Sequence, residues 1–150
     1  MRTMKLAGAI LALAITGTAA QAACNQSHIN NKTWKLTAHL DATDAAPAAL
    51  IFCSFKTKGN GGVAVTTDGC EVTVVGSANF ASPTKYNIEA NSQIVATPDQ
   101  KCTFDATINL KTGDTTSIML ARLVMESGKT IAAGNFLMGD SGGTVAVLRQ

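Results

Sequence analysis

From residue 102 to residue 111 the side chains alternate without a break. Cys102, Phe104, Ala106, Ile108 and Leu110 are apolar, and Thr103, Asp105, Thr107, Asn109 and Lys111 are polar. Successive side chains on a strand point to opposite faces, so this stretch predicts a strand with one dry face and one wet face. Thr112-Gly113-Asp114 is a turn signal, and a second apolar run follows at 117–125. The same reading extends along the chain. Residues 33–40 put Trp34, Leu36, Ala38 and Leu40 on one face and Lys35, Thr37 and His39 on the other. Residues 48–57 are apolar on both faces around Leu50, Ile51 and Phe52, which predicts a strand covered on both sides, by a second layer or by a partner. Gly59-Asn60-Gly61-Gly62 turns the chain. Residues 63–67 and 70–75 read as two short strands joined by an Asp68-Gly69 hairpin. Further strands are expected at 86–90 (Tyr86, Ile88 and Ala90 inward), 93–97, 130–138 and 144–149. Residues 23–32 read as an extended lead-in, and 41–47 and 76–83 as loops.

That is eight or nine short strands with regular turn signals and no convincing helical period. The pattern predicts an all-β domain, an antiparallel up-and-down β-barrel of about eight strands, with a β-sandwich as the alternative. Consecutive hairpins suit a meander. A meander leaves two exposed edges unless it closes, and closure removes them. Closure would make the first and last strands neighbours. Trp34 stands in the first and Arg149 at the end of the last. A cation over an indole face contributes about 0.5–2 kcal/mol.

With Trp34 in the first strand and Arg149 in the last, the chain resembles the calycin group, the lipocalin and avidin type of barrel. The resemblance spans the mature domain's length and strand count. It implies an end-closing contact between the two residues and a lumen that holds a small apolar ligand. The chain departs from the group's patterns in three places. Lys32 stands two residues before the tryptophan where lipocalins have glycine. No second lipocalin motif is present. Avidin-like biotin pockets use several tryptophans, and this chain has one. No ligand-binding residue carries over, and biotin is not expected.

Charge and composition narrow the setting. Arg2 and Lys5 precede an apolar run from Leu6 to Ile15, and Ala20-Gln21-Ala22 has the small-x-small form of a cleavage site. Residues 1–22 therefore read as a bacterial-style signal peptide and 23–150 as one domain, placing the protein in the periplasm or outside the cell. The run is too short for a membrane span. Gln21 stands where lipoprotein processing at Cys24 needs a large aliphatic residue. Removing Arg2 and Lys5 from twelve basic residues leaves ten against ten acidic ones, a net charge of zero. A nucleic-acid partner would want a basic excess, so none is expected. Asn25-Gln26-Ser27 and Asn31-Lys32-Thr33 match a glycosylation sequon, a short pattern of no weight in a bacterial-style export protein. The four cysteines, Cys24, Cys53, Cys70 and Cys102, read as two disulfides. Three pairings are open. The turn at 59–62 favours Cys53 with Cys70, a loop closure contributing about 3 kcal/mol, and leaves Cys24 for Cys102. The spacings do not suit a zinc site.

No catalytic constellation is legible. His28 falls in the polar lead-in and His39 on a wet face. Gly139-Asp140-Ser141-Gly142-Gly143 matches the string around the nucleophile of trypsin-like proteases, but the domain is too short for their double barrel. The same residues make a hairpin turn. Asp41 with Asp44 and Asp99 with Asp105 are carboxylate pairs that read as solvated loop charges. Arg122 interrupts an apolar run, where it would hold a ligand carboxylate if it faced a lumen. Met119, Ala121, Leu123 and Met125 occupy the other face and read as core. The expectation is an exported, non-catalytic protein without cofactor or metal that binds a small apolar or amphipathic ligand in a barrel lumen. Arg122, Trp34 and Tyr86 are the candidate contacts. The alternative is a secreted protein-binding module, such as an inhibitor of an extracellular enzyme.

Overall fold

A computed structural model describes residues 24–76, 82–97 and 102–150. Nine strands form one antiparallel sheet: β1 Thr33–Leu40, β2 Ala49–Lys56, β3 Thr66–Val74, β4 Thr84–Ile88, β5 Gln93–Ala96, β6 Thr103–Thr112, β7 Thr115–Met125, β8 Ile131–Met138 and β9 Ser141–Arg149. The two ends of the chain meet. β1 pairs with β9 in the register Trp34 to Arg149, Leu36 to Val147 and Ala38 to Val145. On the other side, β4 pairs with β6 at Asn87–Lys111 and Ile88–Leu110. β5 continues along the same edge of β6, from Gln93–Thr107 to Ala96–Phe104. β4 and β5 are thus two halves of one stave, interrupted at 89–92. The result is a closed eight-staved antiparallel barrel with one strand split in two.

Closure follows from the alternation. The inward set of β6 (Phe104, Ala106, Ile108, Leu110) meets the inward sets of β7 (Met119, Ala121, Leu123, Met125) and β1 (Trp34, Leu36, Ala38) in one core. Each such strand offers one apolar face, and curling the sheet is how a single sheet buries that face without a second layer. Neighbouring strands approach most closely where there is no side chain. A Cβ on Gly143 would lie well inside van der Waals contact of the His39 carbonyl oxygen, and one on Gly134 would do the same to the Arg122 carbonyl oxygen. In each case the neighbour is rigid backbone of the adjacent strand. Gly143→Val is therefore expected to destabilise the barrel by more than about 2 kcal/mol, beyond ordinary overpacking, read as a lowered urea midpoint with an unchanged slope.

Both disulfides form as the favoured pairing has it, Cys53–Cys70 and Cys24–Cys102. Cys53 and Cys70 are direct cross-strand partners in the core. Disulfides persist in oxidising compartments, which fits an extracellular or periplasmic setting. The signal-peptide reading and Asp99 fall outside the described residues.

Three expectations need correction. The strand at Tyr86 ends at Ile88, and Ala90 is exposed in the turn that follows rather than inward. Asp68-Gly69 does not turn a hairpin. β3 runs through it with a register shift between Thr66 and Cys70. A two-residue hairpin of the common type needs two successive residues at positive φ. Only Asp68 has one, at 50°, so the chain bulges and goes on. The lead-in is not extended either. Gln26–His28 is a 3₁₀ turn capped by Asn25, whose side chain accepts the Ser27 N–H while His28 Nδ1 accepts the Asn25 N–H. Ser141, in the protease-like string, opens β9 opposite Met138 with its side chain buried.

Candidate functional site: the barrel interior and its outer wall

The end of the barrel where β1 begins is sealed by the N-terminal segment. Ile29 is buried there, and its carbonyl accepts hydrogen bonds from the Thr57 hydroxyl and, at 3.5 Å, from Trp34 Nε1. Gln26 acts as a surrogate strand residue. Its amide donates to the Ile94 carbonyl at 2.8 Å and accepts the Ala96 N–H at 2.7 Å, satisfying the edge of β5. Cys24–Cys102 ties this segment to the start of β6. Trp34 is therefore a floor residue. Its cross-strand partner Arg149 lies on the same face at the rim. Tyr86 is at the opposite end, half-buried, where Leu40, Val72 and Met138 are also only partly covered.

Between floor and mouth the barrel is filled. A void of ligand size would leave the atoms around it accessible to a water-sized sphere. Ile51, Ile88, Phe104, Ile108, Leu110 and Met119 are all 0–1 % accessible. Among the described residues, no cavity of the several hundred Å³ that a small-molecule site needs lies beside them. A ligand held at the depth of these six side chains would require them to move.

Arg122 does not face the lumen. Its neighbours Ala121 and Leu123 point inward, so two-residue periodicity puts Arg122 outside, its side chain 71 % exposed. It forms a two-point ion pair across the strands, Nε to Asp105 Oδ1 at 2.9 Å and Nη2 to Oδ2 at 3.2 Å. The apolar run around it misled the sequence reading because its even-numbered members Ile118, Leu120 and Val124 are outward too. The structure thus separates Trp34, Tyr86 and Arg122 to floor, mouth and outer wall.

What Arg122 does join is a shallow groove of about 440 Å³ on the outer wall. Asp105 and Thr107 of β6, Leu120 and Arg122 of β7, and Asn135 and Leu137 of β8 line it. Register explains the grouping. Thr107, Leu120 and Leu137 form one cross-strand row, and Asp105, Arg122 and Asn135 form the next. Leu120 and Leu137 are each more than half exposed. An apolar pair beside a fixed guanidinium–carboxylate fork offers burial and orientation together. Sequence alone held the signal: Leu137 and Leu120 sit at the polar phase of strands whose other phase is the core.

Elsewhere on the outside, Lys35, Lys56, Glu71 and Lys85 face solvent. No described helix is long and apolar enough to cross a membrane. His39 Nδ1 and Asp41 Oδ1 lie 3.3 Å apart near the mouth, both exposed. No three metal-ligating side chains converge among the described residues. No protein-family model matches the chain, and no curated protein matches it.

Proposed function

We propose that this is an exported, non-catalytic binding module that engages a protein partner across its outer wall. The groove of Leu120, Leu137, Arg122 and Asp105 is the contact. The observation that carries the reading is the reversal of the expected layout: a filled interior with large apolar side chains on the outside. A partner side chain laid on Leu120 and Leu137 would bury apolar surface at roughly 25 cal/mol per Å². The Arg122–Asp105 fork would orient partner polar groups at the rim, which contributes more to selectivity than to affinity. The disulfide-closed, edge-free scaffold keeps that wall rigid, so little ordering is needed on binding.

Native mass spectrometry of protein purified from its own secretion route tests this. The expected result is a species carrying a second polypeptide and no small-molecule adduct. Leu137→Glu, an exposed position that leaves the core intact, is expected to remove the second polypeptide. A small molecule that stays bound in Leu137→Glu protein would instead assign binding to the lumen.

A further inference from the structure

The last hairpin of the sheet, β8 with β9, carries almost no charge. Residues 131–148 contain a single ionisable side chain, Asp140, which sits in the turn between β8 and β9. This is not because the hairpin is buried. Ile131, Ala133, Asn135 and Leu137 of β8 and Thr144, Ala146 and Leu148 of β9 alternate outward, and most are exposed. Antiparallel strands that face water on one side normally show polar, often charged, residues there. The contrast within this molecule is direct, because β2 to β4 carry Lys56, Glu71 and Lys85 on the outer surface.

The lower part of this wall is a patch of two cross-strand rows. Val124, Ala133 and Ala146 are partners in one row, and Ile131 and Leu148 in the next. Val124, Ile131 and Leu148 are each 42–53 % exposed. With the two alanines between them, these five residues present on the order of 400 Å² of apolar surface, at the size where patches on monomers become functional.

We infer that this face of β8 and β9, with Val124 of β7, is the contact between two copies of the chain. Three features point to a second copy rather than a foreign protein. The five residues at its centre hold no charge with which to select a partner by complementarity, and the nearest charges, Lys35 beside Leu148 and Arg122 beside Asn135, stand at its rim. A two-fold contact sets like against like, which an uncharged centre tolerates as long as Lys35 stays at the rim, in water. Residues 24–150 carry ten basic and ten acidic side chains, so two copies feel no net repulsion on approach. The alanine row lets the two walls approach to the roughly 10 Å spacing of packed sheets, and Val124, Ile131 and Leu148 bury around it. With the flanking Thr37, Thr144 and Asn135 the contact reaches toward the lower end of the roughly 800 Å² per partner of stable interfaces. A contact of this modest size is expected to form where the protein is concentrated. It leaves the Leu120–Leu137 groove at the edge of the contact, so a dimer would present two grooves.

Sedimentation equilibrium on the exported chain with both disulfides closed tests the inference. Twice the chain mass is expected at about 100 μM, shifting toward one chain mass on dilution. Ala146→Glu places a carboxylate in the contact and is expected to weaken dimerisation at least 100-fold. Leu148→Lys is a second, independent disruption. Ser54→Glu on β2 is expected to leave the dimer intact. Near-ultraviolet circular dichroism matching the parent chain establishes that each variant folds. A chain that is monomeric at 100 μM, or a dimer indifferent to both Ala146→Glu and Leu148→Lys, would overturn the assignment. That failure is separable from failure of the proposed function, which is read at Leu137 as a co-purifying polypeptide.

Discussion

Trp34→Ala is expected to lower the unfolding free energy by about 3–5 kcal/mol, the range for emptying a large aromatic site in a core. For a domain of this size that corresponds to a fall in melting temperature of roughly 10–20 °C. The cost is high because the indole, 1 % exposed, is the floor of the barrel and joins three things at once. It packs into the core cluster, its Nε1 faces the Ile29 carbonyl, and its strand pairs with both β2 and β9. Trp34→Phe is expected to recover most of the loss, since it restores volume but not the donor. Thermal unfolding followed by far-ultraviolet circular dichroism is the measurement, because Trp34 is the chain's single tryptophan and its fluorescence goes with it. A loss below 1 kcal/mol would mean that the floor is held by the N-terminal segment alone.

Removing the Cys24–Cys102 bridge, as the double serine variant, is expected to cost about 4.5 kcal/mol in the chain-entropy model, against about 3 kcal/mol for Cys53–Cys70. The difference comes from the sequence separations of 78 and 17. A longer loop leaves the unfolded chain more freedom to regain. The urea midpoint reports the loss. Hydrogen exchange should localise it, with amides of Ala96 and Ile94 opening first, since Gln26 and Gly61 hold that edge only while the N-terminal segment is docked. An unchanged midpoint would show that Gln26, Ile29 and Thr57 suffice to anchor the segment without the covalent tie.

The barrel was legible because its inward sets repeat every second residue from Trp34 to Val147, and because chain-consecutive strands are neighbours. The pairing of Trp34 with Arg149 followed from closure alone. The bulge at Asp68-Gly69 was not legible, since one left-handed residue and two have the same sequence signature. The 3₁₀ turn was hidden because its order comes from long-range bonds, Gln26 to β5 and Thr57 to Ile29. Arg122 was ambiguous for a physical reason. On strands β7 and β8 both faces carry large apolar residues, and only phase relative to Met119 and Leu123 tells inside from outside. The groove at Leu120 and Leu137 was legible only as outward-phase leucines on two strands, because the register that sets them side by side belongs to the fold.

Closing the ring has a temporal consequence. β1 and β9 are joined by hydrogen bonds yet stand more than a hundred residues apart in the chain. Pairings of such long range make folding slow, in the millisecond-to-second range for all-β domains. During synthesis the first strand emerges early and waits for the last. Throughout that interval its backbone donors and acceptors are unsatisfied and open to any passing strand. Thr33, Lys35, Thr37 and His39 along its outer side keep that waiting edge soluble until the final stave arrives.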